Sequence, residues 1–327
     1  MNSKLNIALK YLSGKLKVCE FALTNICSCK CSFCGIWKQK PKVTVDTYKA
    51  LKVIDKLDEL GVGFVTLTGG EPLLHPDFDK IIAECNKYGM MSSILNADAR
   101  IFTPKVLGML EKSKPGMVSI SIDHHTDKVE FESRKIPKLL NHIKNAVSNL
   151  KKLKIKVLGS IVICNYNHKS LRKLCEKCAE IGFDNVCINY PEISESEVYV
   201  LGGNAINLTK KQVIDALQEV KELKKEFPIV NPVESLNNII SYLKGENPKY
   251  YCFGGSKVFF VDWHLNTYPC MHLNKNLGSV LKLKSKDLNL KPCNCCNMSW
   301  YRDFSVYFYG LKSFIPLMKE LPLMFKY

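Results

Sequence analysis

Three cysteines near the N-terminus are spaced closely enough to bind a single iron–sulfur cluster. Cys27, Cys31 and Cys34 stand in a C-x3-C-x2-C pattern on one predicted loop. Iron–sulfur clusters need soft thiolate ligands, and three thiolates leave one iron of a cubane open to a small molecule. Zinc is the alternative, because Cys29 can complete a set of four thiolates. The spacing therefore predicts a reactive iron–sulfur centre, with a zinc site left open.

Two further segments carry side chains that suit a cofactor site. Residues 69–72 read Gly-Gly-Glu-Pro after a predicted strand, and Asp123 ends another strand in Ser121-Ile122-Asp123. Each has an ordinary interpretation, as a turn for residues 69–72 and as a helix cap or loop residue for Asp123. Arg134 can be interpreted equally well as a surface residue or as the partner of a carboxylate group on the bound cofactor.

The elements that position these residues alternate between apolar, β-rich runs and amphipathic helical segments. Six strands are predicted, at residues 16–24, 63–68, 90–96, 117–123, 156–164 and 185–190. Helices are predicted to begin near Thr44, Asp77, Thr103, Ile136 and Lys169. Ligands of parallel α/β domains bind at the carboxyl ends of the strands. The cysteine loop, residues 69–72 and Asp123 are therefore expected on one rim of the domain.

Together these motifs resemble the radical S-adenosylmethionine (SAM) superfamily. The resemblance rests on the cysteine spacing, on Phe33 before the last cysteine, on Leu23-Thr24-Asn25 at the end of the first strand, and on the Gly-Gly-Glu-Pro segment. It implies an α/β fold, a partial (β/α)6 TIM-like barrel, and a 4Fe-4S cluster whose open iron binds the amino and carboxylate groups of SAM. Reductive cleavage of SAM then gives methionine and a 5′-deoxyadenosyl radical that abstracts hydrogen from a substrate.

The same resemblance implies roles for individual residues near SAM. Glu71 would accept a hydrogen bond from the SAM amino group, while Gly69 and Gly70 let the backbone come close. Ser121 and Asp123 would lie near the ribose hydroxyls. The expected cofactor-binding residues are thus Gly69, Gly70, Glu71, Pro72, Ser121 and Asp123.

A second cysteine group lies near the C-terminus. Residues 258–262 and 267–270 are predicted to form a hairpin that ends in Tyr268-Pro269-Cys270. With a cysteine before the hairpin and a late C-x2-C, this region resembles the SPASM or twitch extension of radical SAM enzymes. The resemblance implies an auxiliary 4Fe-4S cluster bound by Cys252, Cys270, Cys293 and Cys296.

Three features leave that second assignment open. Leu265 stands where the extension has a glycine before Asn266, and no cysteine follows Cys296, so one auxiliary cluster is expected and not two. Cys295 competes with Cys293 or Cys296 for the fourth ligand position. A structural zinc site with the same four residues is the alternative.

The composition fits a cytoplasmic enzyme. The chain has 327 residues, a formal charge of +16 and 15 cysteines, which cluster at short spacings and favour metal binding in a reducing compartment over disulfides. No signal peptide or membrane-spanning run is evident. We expect an N-terminal segment (1–16), a radical SAM core (17–244) with its barrel ending near residue 190, and an auxiliary-cluster domain with a tail (245–327).

The substrate is less well defined than the chemistry. The first hypothesis is hydrogen abstraction from a peptide, protein or small metabolite, with a low-potential donor such as flavodoxin or ferredoxin. The alternative is modification of an isoprenoid or other lipid by a peripherally bound enzyme, which the charge and the aromatic tail at 304–327 suggest. The least favoured hypothesis is a non-catalytic metal-binding module that binds nucleic acid.

Overall fold

The protein is built around a parallel sheet. The computed structural model describes residues 3–96, 98–192, 194–195, 200–201 and 205–310. The strands are β1 (Lys17–Thr24), β2 (Val62–Gly69), β3 (Met91–Asn96), β4 (Met117–Ser121), β5 (Lys156–Val162), β6 (Asn185–Asn189), β7 (Ser194–Glu195), β8 (Val200–Leu201), β9 (Val258–Val261) and β10 (Thr267–Tyr268). The main sheet has the order β10-β9-β1-β2-β3-β4-β5-β6, with β1 to β6 parallel. This arrangement confirms the predicted α/β fold with a partial TIM-like barrel.

Ten helices accompany the strands in the part of the chain that the structure describes. They are α1 (Ser3–Leu12), α2 (Thr47–Glu59), α3 (Phe78–Lys87), α4 (Pro104–Ser113), α5 (Asp127–Arg134), α6 (Leu139–Lys152), α7 (Leu171–Ile181), α8 (Lys210–Leu223), α9 (Val233–Lys244) and α10 (Ser299–Tyr307). Several begin where the sequence offers a cap: the Asp46 and Thr103 side chains accept from backbone N–H groups in the first turns of α2 and α4. Among the helices that precede β6, α1 and α5 were not predicted.

The two faces of the sheet differ in chemistry. On the outer face, the register partners Phe21, Leu67, Ile94, Val118 and Val157 are all buried. The helices that connect the strands cover this face, and the Cys178 thiol of α7 packs against Gly159 of β5. Apolar burial here supplies the core that fixes the strand register.

The opposite face, called the inner face below, carries small polar side chains. Glu20, Thr66 and Ser93 are register partners on this face, and so are Ser121 and Ser160. Ser119 lies on the same face between the apolar residues Leu95 and Leu158. Thr66 and Ser93 share a hydrogen bond of 2.8 Å between their hydroxyl oxygens. Barrels of this type usually fill their interior with bulky branched residues, so a polar inner face suits binding of a polar ligand.

The C-terminal region joins the same sheet. The strand β9 pairs in parallel with β1, and β10 returns antiparallel to β9, so the predicted hairpin is confirmed. The helix α10 lies on the inner face, where the Tyr301 hydroxyl donates to Glu20 (2.6 Å) and the Phe304 ring lies 5.1 Å from that of Phe64. The division near residue 245 stays a prediction.

Two expectations concern residues that the structure does not cover fully. The predicted connection at Gly202 and Gly203 and most of the aromatic tail, residues 311–327, lie outside the described residues. Among the described helices, none is both long enough and apolar enough to cross a membrane.

Candidate active site

The N-terminal cysteine loop follows β1 and is fastened to two neighbouring elements. The Ser28 hydroxyl donates to the Asp98 carboxylate over 2.6 Å, and the Ser32 amide donates to the Ser133 carbonyl over 2.9 Å. Cys31 is buried, whereas Cys27 and Cys34 are half-buried. The loop therefore presents its thiols between the carboxyl ends of β1 and β3 and the end of α5.

Residues 69–72 touch the segment that leads into this loop. The Gly70 amide donates to the Thr24 carbonyl and the Glu71 amide to the Ile26 carbonyl, each over 2.8 Å. A Cβ atom on Gly69 would lie 2.2 Å from the Thr24 carbonyl oxygen, and one on Gly70 would lie 2.2 Å from that of Ile26. Gly69 also has φ +123°, which side chains rarely adopt. These glycines are required by a backbone-to-backbone contact within the protein.

The side chain of Glu71 is fully buried and anchors the end of β3. One carboxylate oxygen accepts from Asn96 Nδ2 (2.9 Å) and from the Asp98 amide (3.0 Å), and the other accepts from the Leu73 amide (3.2 Å). The expected contact between Glu71 and the SAM amino group stays a prediction.

Asp98 is a residue of this rim that the sequence analysis missed. Its carboxylate receives two hydrogen bonds from the Arg100 guanidinium, of 2.9 and 2.7 Å, besides the one from Ser28. Burial acts to raise the pKa of Asp98, but the hydrogen bonds from Arg100 and Ser28 outweigh it and hold the pKa below its usual value. Its position just after the third predicted strand was the available signal, because ligands bind at strand ends.

Asp123 and Arg134 form a buried ion pair on the other side of the loop. Arg134 Nε lies 2.9 Å from Asp123 Oδ2, and Arg134 Nη2 donates to Asp123 Oδ1 over 3.0 Å. The Ser133 hydroxyl donates to the same carboxylate over 2.5 Å. Arg134 Nη1 also reaches Cys31 Sγ at 3.6 Å, so a fixed positive charge faces this thiol. Arg134 is thus not a surface residue. The expected contact between Asp123 and the ribose of SAM stays a prediction.

Electrostatics around Cys31 favour its thiolate. A hydrogen bond from Cys29 is the largest cause that lowers the pKa of Cys31 to about 7, and Arg134 adds to it against the effect of burial. Cys29 itself is buried, and hydrogen bonds to Cys27 and Cys31 raise its pKa. Cysteine binds metal as the thiolate, so this environment suits Cys31 as a metal ligand.

Glu130 and Ser121 complete the buried rim. One Glu130 oxygen accepts from the Asp123 amide (2.6 Å) and the His124 amide (2.9 Å). Burial, and next the charge of Asp123, raise the pKa of Glu130 to about 8. The Ser121 hydroxyl donates to the Asn96 carbonyl over 3.1 Å. Glu130 gave no recognisable signal in the sequence, because its burial depends on the placement of α5.

The C-terminal cysteines form a second group around the start of β9. Cys252 and Cys293 exchange backbone hydrogen bonds of 2.8 and 2.9 Å. Cys252 Sγ and Cys270 Cβ lie 3.6 and 3.9 Å from the position that a Cβ on Gly254 would take. Arg302 Nε donates to the Cys296 carbonyl over 2.6 Å and fixes the late cysteine segment. Cys252, Cys270 and Cys293 therefore lie near the segment that precedes β9, and Arg302 holds the backbone at Cys296.

Cys295 remains a competitor for a ligand position in this group. Its side chain is exposed, and a hydrogen bond with Cys296 is the largest cause that lowers its pKa to about 5. It also shares a hydrogen bond with Cys293. In the described residues, no three ligating side chains converge on one point as they would around a single metal ion.

The hairpin residue Leu265 adopts a backbone conformation that favours glycine. Its φ is +66°, in the left-handed region. The Asp262 carboxylate accepts from the His264 and Asn266 amides, over 2.9 and 2.7 Å, and this turn holds Leu265 in place. The position at which the sequence comparison expects glycine thus has a backbone conformation that favours glycine, although the residue is Leu.

Comparison with known proteins identifies the family. Residues 21–178, which include the cysteine loop, residues 69–72 and Asp123, match the model of the Radical SAM superfamily. Residues 21–178 thus form a radical SAM domain. Radical SAM enzymes use a 4Fe-4S cluster and SAM, so the protein is an enzyme and the hypothesis of a non-catalytic nucleic-acid module is wrong.

Relatives of this radical SAM enzyme include proteins of known activity. It is 26% identical over 227 residues to the GTP 3′,8-cyclase of Aquifex aeolicus, covering 67% of this chain and 68% of the relative. It is 25% identical over 293 residues to that of Clostridium acetobutylicum, covering 82% and 85%. The solved structure of native anSMEcpe with bound AdoMet has a TM-score of 0.64 and 17% identity, covering 83% of this chain and 80% of that one. The structural likeness supports the fold.

Proposed function

We propose that this enzyme cleaves SAM reductively at a 4Fe-4S cluster bound by Cys27, Cys31 and Cys34, and that it abstracts hydrogen from a substrate on the inner face. The observation that carries the proposal is the contact between the Gly-Gly-Glu-Pro turn and the segment before Cys27. Two hydrogen bonds of 2.8 Å, from Gly70 and Glu71, join them. This contact supports a single site to which both motifs contribute.

The donor set fits the proposed cluster. Soft thiols on one loop suit iron–sulfur chemistry, and Arg134 provides a fixed positive charge at Cys31. When bound, the reduced cluster supplies the electron that splits SAM into methionine and a 5′-deoxyadenosyl radical. The residues of the chain position the loop: Asp98 holds it through Ser28, and Asp123 holds Arg134.

The inner face supports a polar substrate. Its hydroxyl side chains at Thr66, Ser93, Ser119 and Ser160 offer both donors and acceptors. We infer a peptide, protein or small metabolite as the substrate, because each presents polar groups to such a surface. A low-potential donor such as flavodoxin or ferredoxin would supply the electron.

We further propose one auxiliary 4Fe-4S cluster bound by Cys252, Cys270, Cys293 and Cys296. The proposal is supported by the backbone pairing of Cys252 with Cys293 and by the approach of Cys252 and Cys270 to Gly254. The start of β9 pairs beside Val18 near the start of β1, whereas Cys27 follows the end of β1. The inner face would then extend between the two clusters.

GTP is a second candidate substrate, because relatives that cover most of this chain are GTP 3′,8-cyclases. The test is incubation of the reconstituted enzyme with SAM, dithionite and GTP. GTP consumption that keeps pace with 5′-deoxyadenosine formation would favour this candidate. Unchanged GTP, with 5′-deoxyadenosine still formed, would remove it.

The proposed SAM chemistry is tested by anaerobic reconstitution with iron and sulfide, iron analysis, and a dithionite-driven assay for 5′-deoxyadenosine. We expect about eight irons per chain if two 4Fe-4S clusters bind. Replacing Cys27, Cys31 and Cys34 together by Ala should halve the iron and abolish SAM cleavage. Cys175→Ala, at a buried thiol of α7 outside both groups, is the control and should change neither value. SAM cleavage that survives the triple substitution would refute the ligand assignment.

A further inference from the structure

A cavity of about 350 Å³ lies beside the end of β6 and has no role in the site proposed above. Its polar end is formed by Glu192 and Asn297. The backbone N–H of Asn297 donates to Glu192 Oε2 over 2.5 Å, and His272 Nδ1 lies 3.6 Å from Glu192 Oε1. Asn297 Oδ1 is buried and has no hydrogen-bond partner among the described residues. A buried acceptor without a donor costs about 1–3 kcal/mol, so this end suits an N–H donor from a ligand.

The remaining walls supply two different contacts. One wall is aliphatic, with Ile206, Leu208, Val213 and Leu243. Lys210, the first residue of α8, is exposed and lines the cavity as well. The cavity therefore combines an acceptor end, an apolar wall and an ammonium group.

From this combination we infer that the cavity binds an aliphatic α-amino-acid unit. Its amino nitrogen donates to Glu192 and Asn297, its carboxylate meets Lys210, and its side chain lies on the aliphatic wall. Small-molecule sites typically have volumes of about 300–1,000 Å³, and this cavity lies at the lower end of that range. The unit is either a free amino acid or one end of a peptide.

The charge of the lining argues against a nucleoside triphosphate here. Glu192 and Lys210 balance each other, which matches a zwitterion, whereas a triphosphate needs an excess of positive charge. The ring of Tyr242 is the aromatic group of the lining, and the Arg302 guanidinium already lies 5.0 Å from its centroid. An aliphatic wall suits an aliphatic side chain better than a purine.

The cavity also lies next to the second cysteine group, because Asn297 directly follows Cys296. A unit bound there would be held beside the proposed auxiliary cluster. The claim that this amino-acid unit is part of the substrate rests on the proposed function. The claim that the cavity binds such a unit does not. The two claims can therefore fail separately.

The test is anaerobic calorimetry on the reconstituted enzyme with L-leucine, N-acetyl-L-leucine and L-leucinamide as probes. We expect L-leucine to bind, and both blocked forms to bind at least about tenfold more weakly because a charge-assisted contact is lost. Leucyl-glycyl-glycine and glycyl-glycyl-leucine then distinguish a free amino acid from either end of a peptide. Binding of GTP to the same cavity, with loss on Glu192→Gln, would overturn the inference.

Variants locate the probe in this cavity. Glu192→Gln and Lys210→Glu should each weaken L-leucine binding about tenfold or more, while SAM cleavage without substrate is unchanged. The control is Lys211→Gln, because Lys211 is 83% exposed, pairs with Asp215 and does not line the cavity. Lys210→Glu alters an exposed residue at a helix N-terminus, so it remains informative if Glu192→Gln does not fold. L-leucine binding that is equal in all three variants refutes the site.

Discussion

The substitution Gly70→Ala tests whether the Gly-Gly-Glu-Pro turn positions the cysteine loop. The new Cβ would lie 2.2 Å from the Ile26 carbonyl oxygen and 3.0 Å from Cys27 Cβ. Ordinary contact begins at 3.4 Å, so the Ile26 carbonyl must move by about 1.2 Å or the turn must withdraw. Overpacking of this kind costs about 1–3 kcal/mol.

The consequence for activity should exceed the consequence for folding. A misplacement of about 1 Å at a reacting centre can lower a rate about 100-fold. We therefore expect Gly70→Ala to retain the iron of the auxiliary cluster. The N-terminal site should either lose its iron or keep its iron with 5′-deoxyadenosine formation lowered about 100-fold. Iron analysis and the dithionite-driven assay, together with thermal unfolding, measure the three effects separately.

The matched control is Gly108→Ala in α4. A Cβ at Gly108 meets no atom within 4 Å, so this change should only stabilise the helix, by about 0.5–1 kcal/mol. If Gly70→Ala behaves like Gly108→Ala in iron content and SAM cleavage, the close contact between the two motifs has no functional role and the reasoning is refuted.

Three further predictions concern buried residues. Burial raises the pKa of Glu20 from 4.5 to about 7. The free energy of unfolding should therefore fall by up to about 3 kcal/mol as the pH rises between these two values, because the protonated side chain is favoured in the folded protein. Glu20→Gln should remove this pH dependence in denaturant titrations. Leu265→Gly should lower the melting temperature. Removing the strain of a left-handed Leu gains about 1–2 kcal/mol, whereas the loss of the buried Leu side chain costs about 2–5 kcal/mol. A higher melting temperature would contradict this prediction. Arg134→Met should cost about 3–5 kcal/mol by leaving the buried Asp123 carboxylate without its partner, and an unchanged unfolding curve would contradict this expectation.

The six strands were predictable because each is a short apolar run bounded by polar residues. The predicted first strand, 16–24, and the observed one, Lys17–Thr24, differ by a single residue. Helix α5 was not predictable in the same way. Its sequence DKVEFESR is polar, and the side chains that it buries are Glu130, Ser133 and Arg134, which a hydrophobic pattern cannot reveal.

The candidate site was predictable at the level of motifs but not of contacts. Cysteine spacing and the Gly-Gly-Glu-Pro segment are local in sequence, so both were recognisable. The ion pair of Asp123 with Arg134 depends on how α5 packs, and the bond from Ser28 to Asp98 joins residues 70 positions apart. Such long-range pairs arise from tertiary packing, which single-sequence periodicity does not encode.

The pairing of β9 with β1 has a consequence for any shortened form of this protein. Without β9, the backbone donors and acceptors of β1 along that side would be unpaired, although this strand carries the cysteine loop at its end. Exposed edges of this kind invite pairing with other chains and aggregation. A chain that stops at residue 244 would also uncover Phe64 and Glu20, which α10 now contacts. The C-terminal region thus protects the edge of the catalytic sheet, and its removal should yield insoluble protein even though it follows the core in sequence.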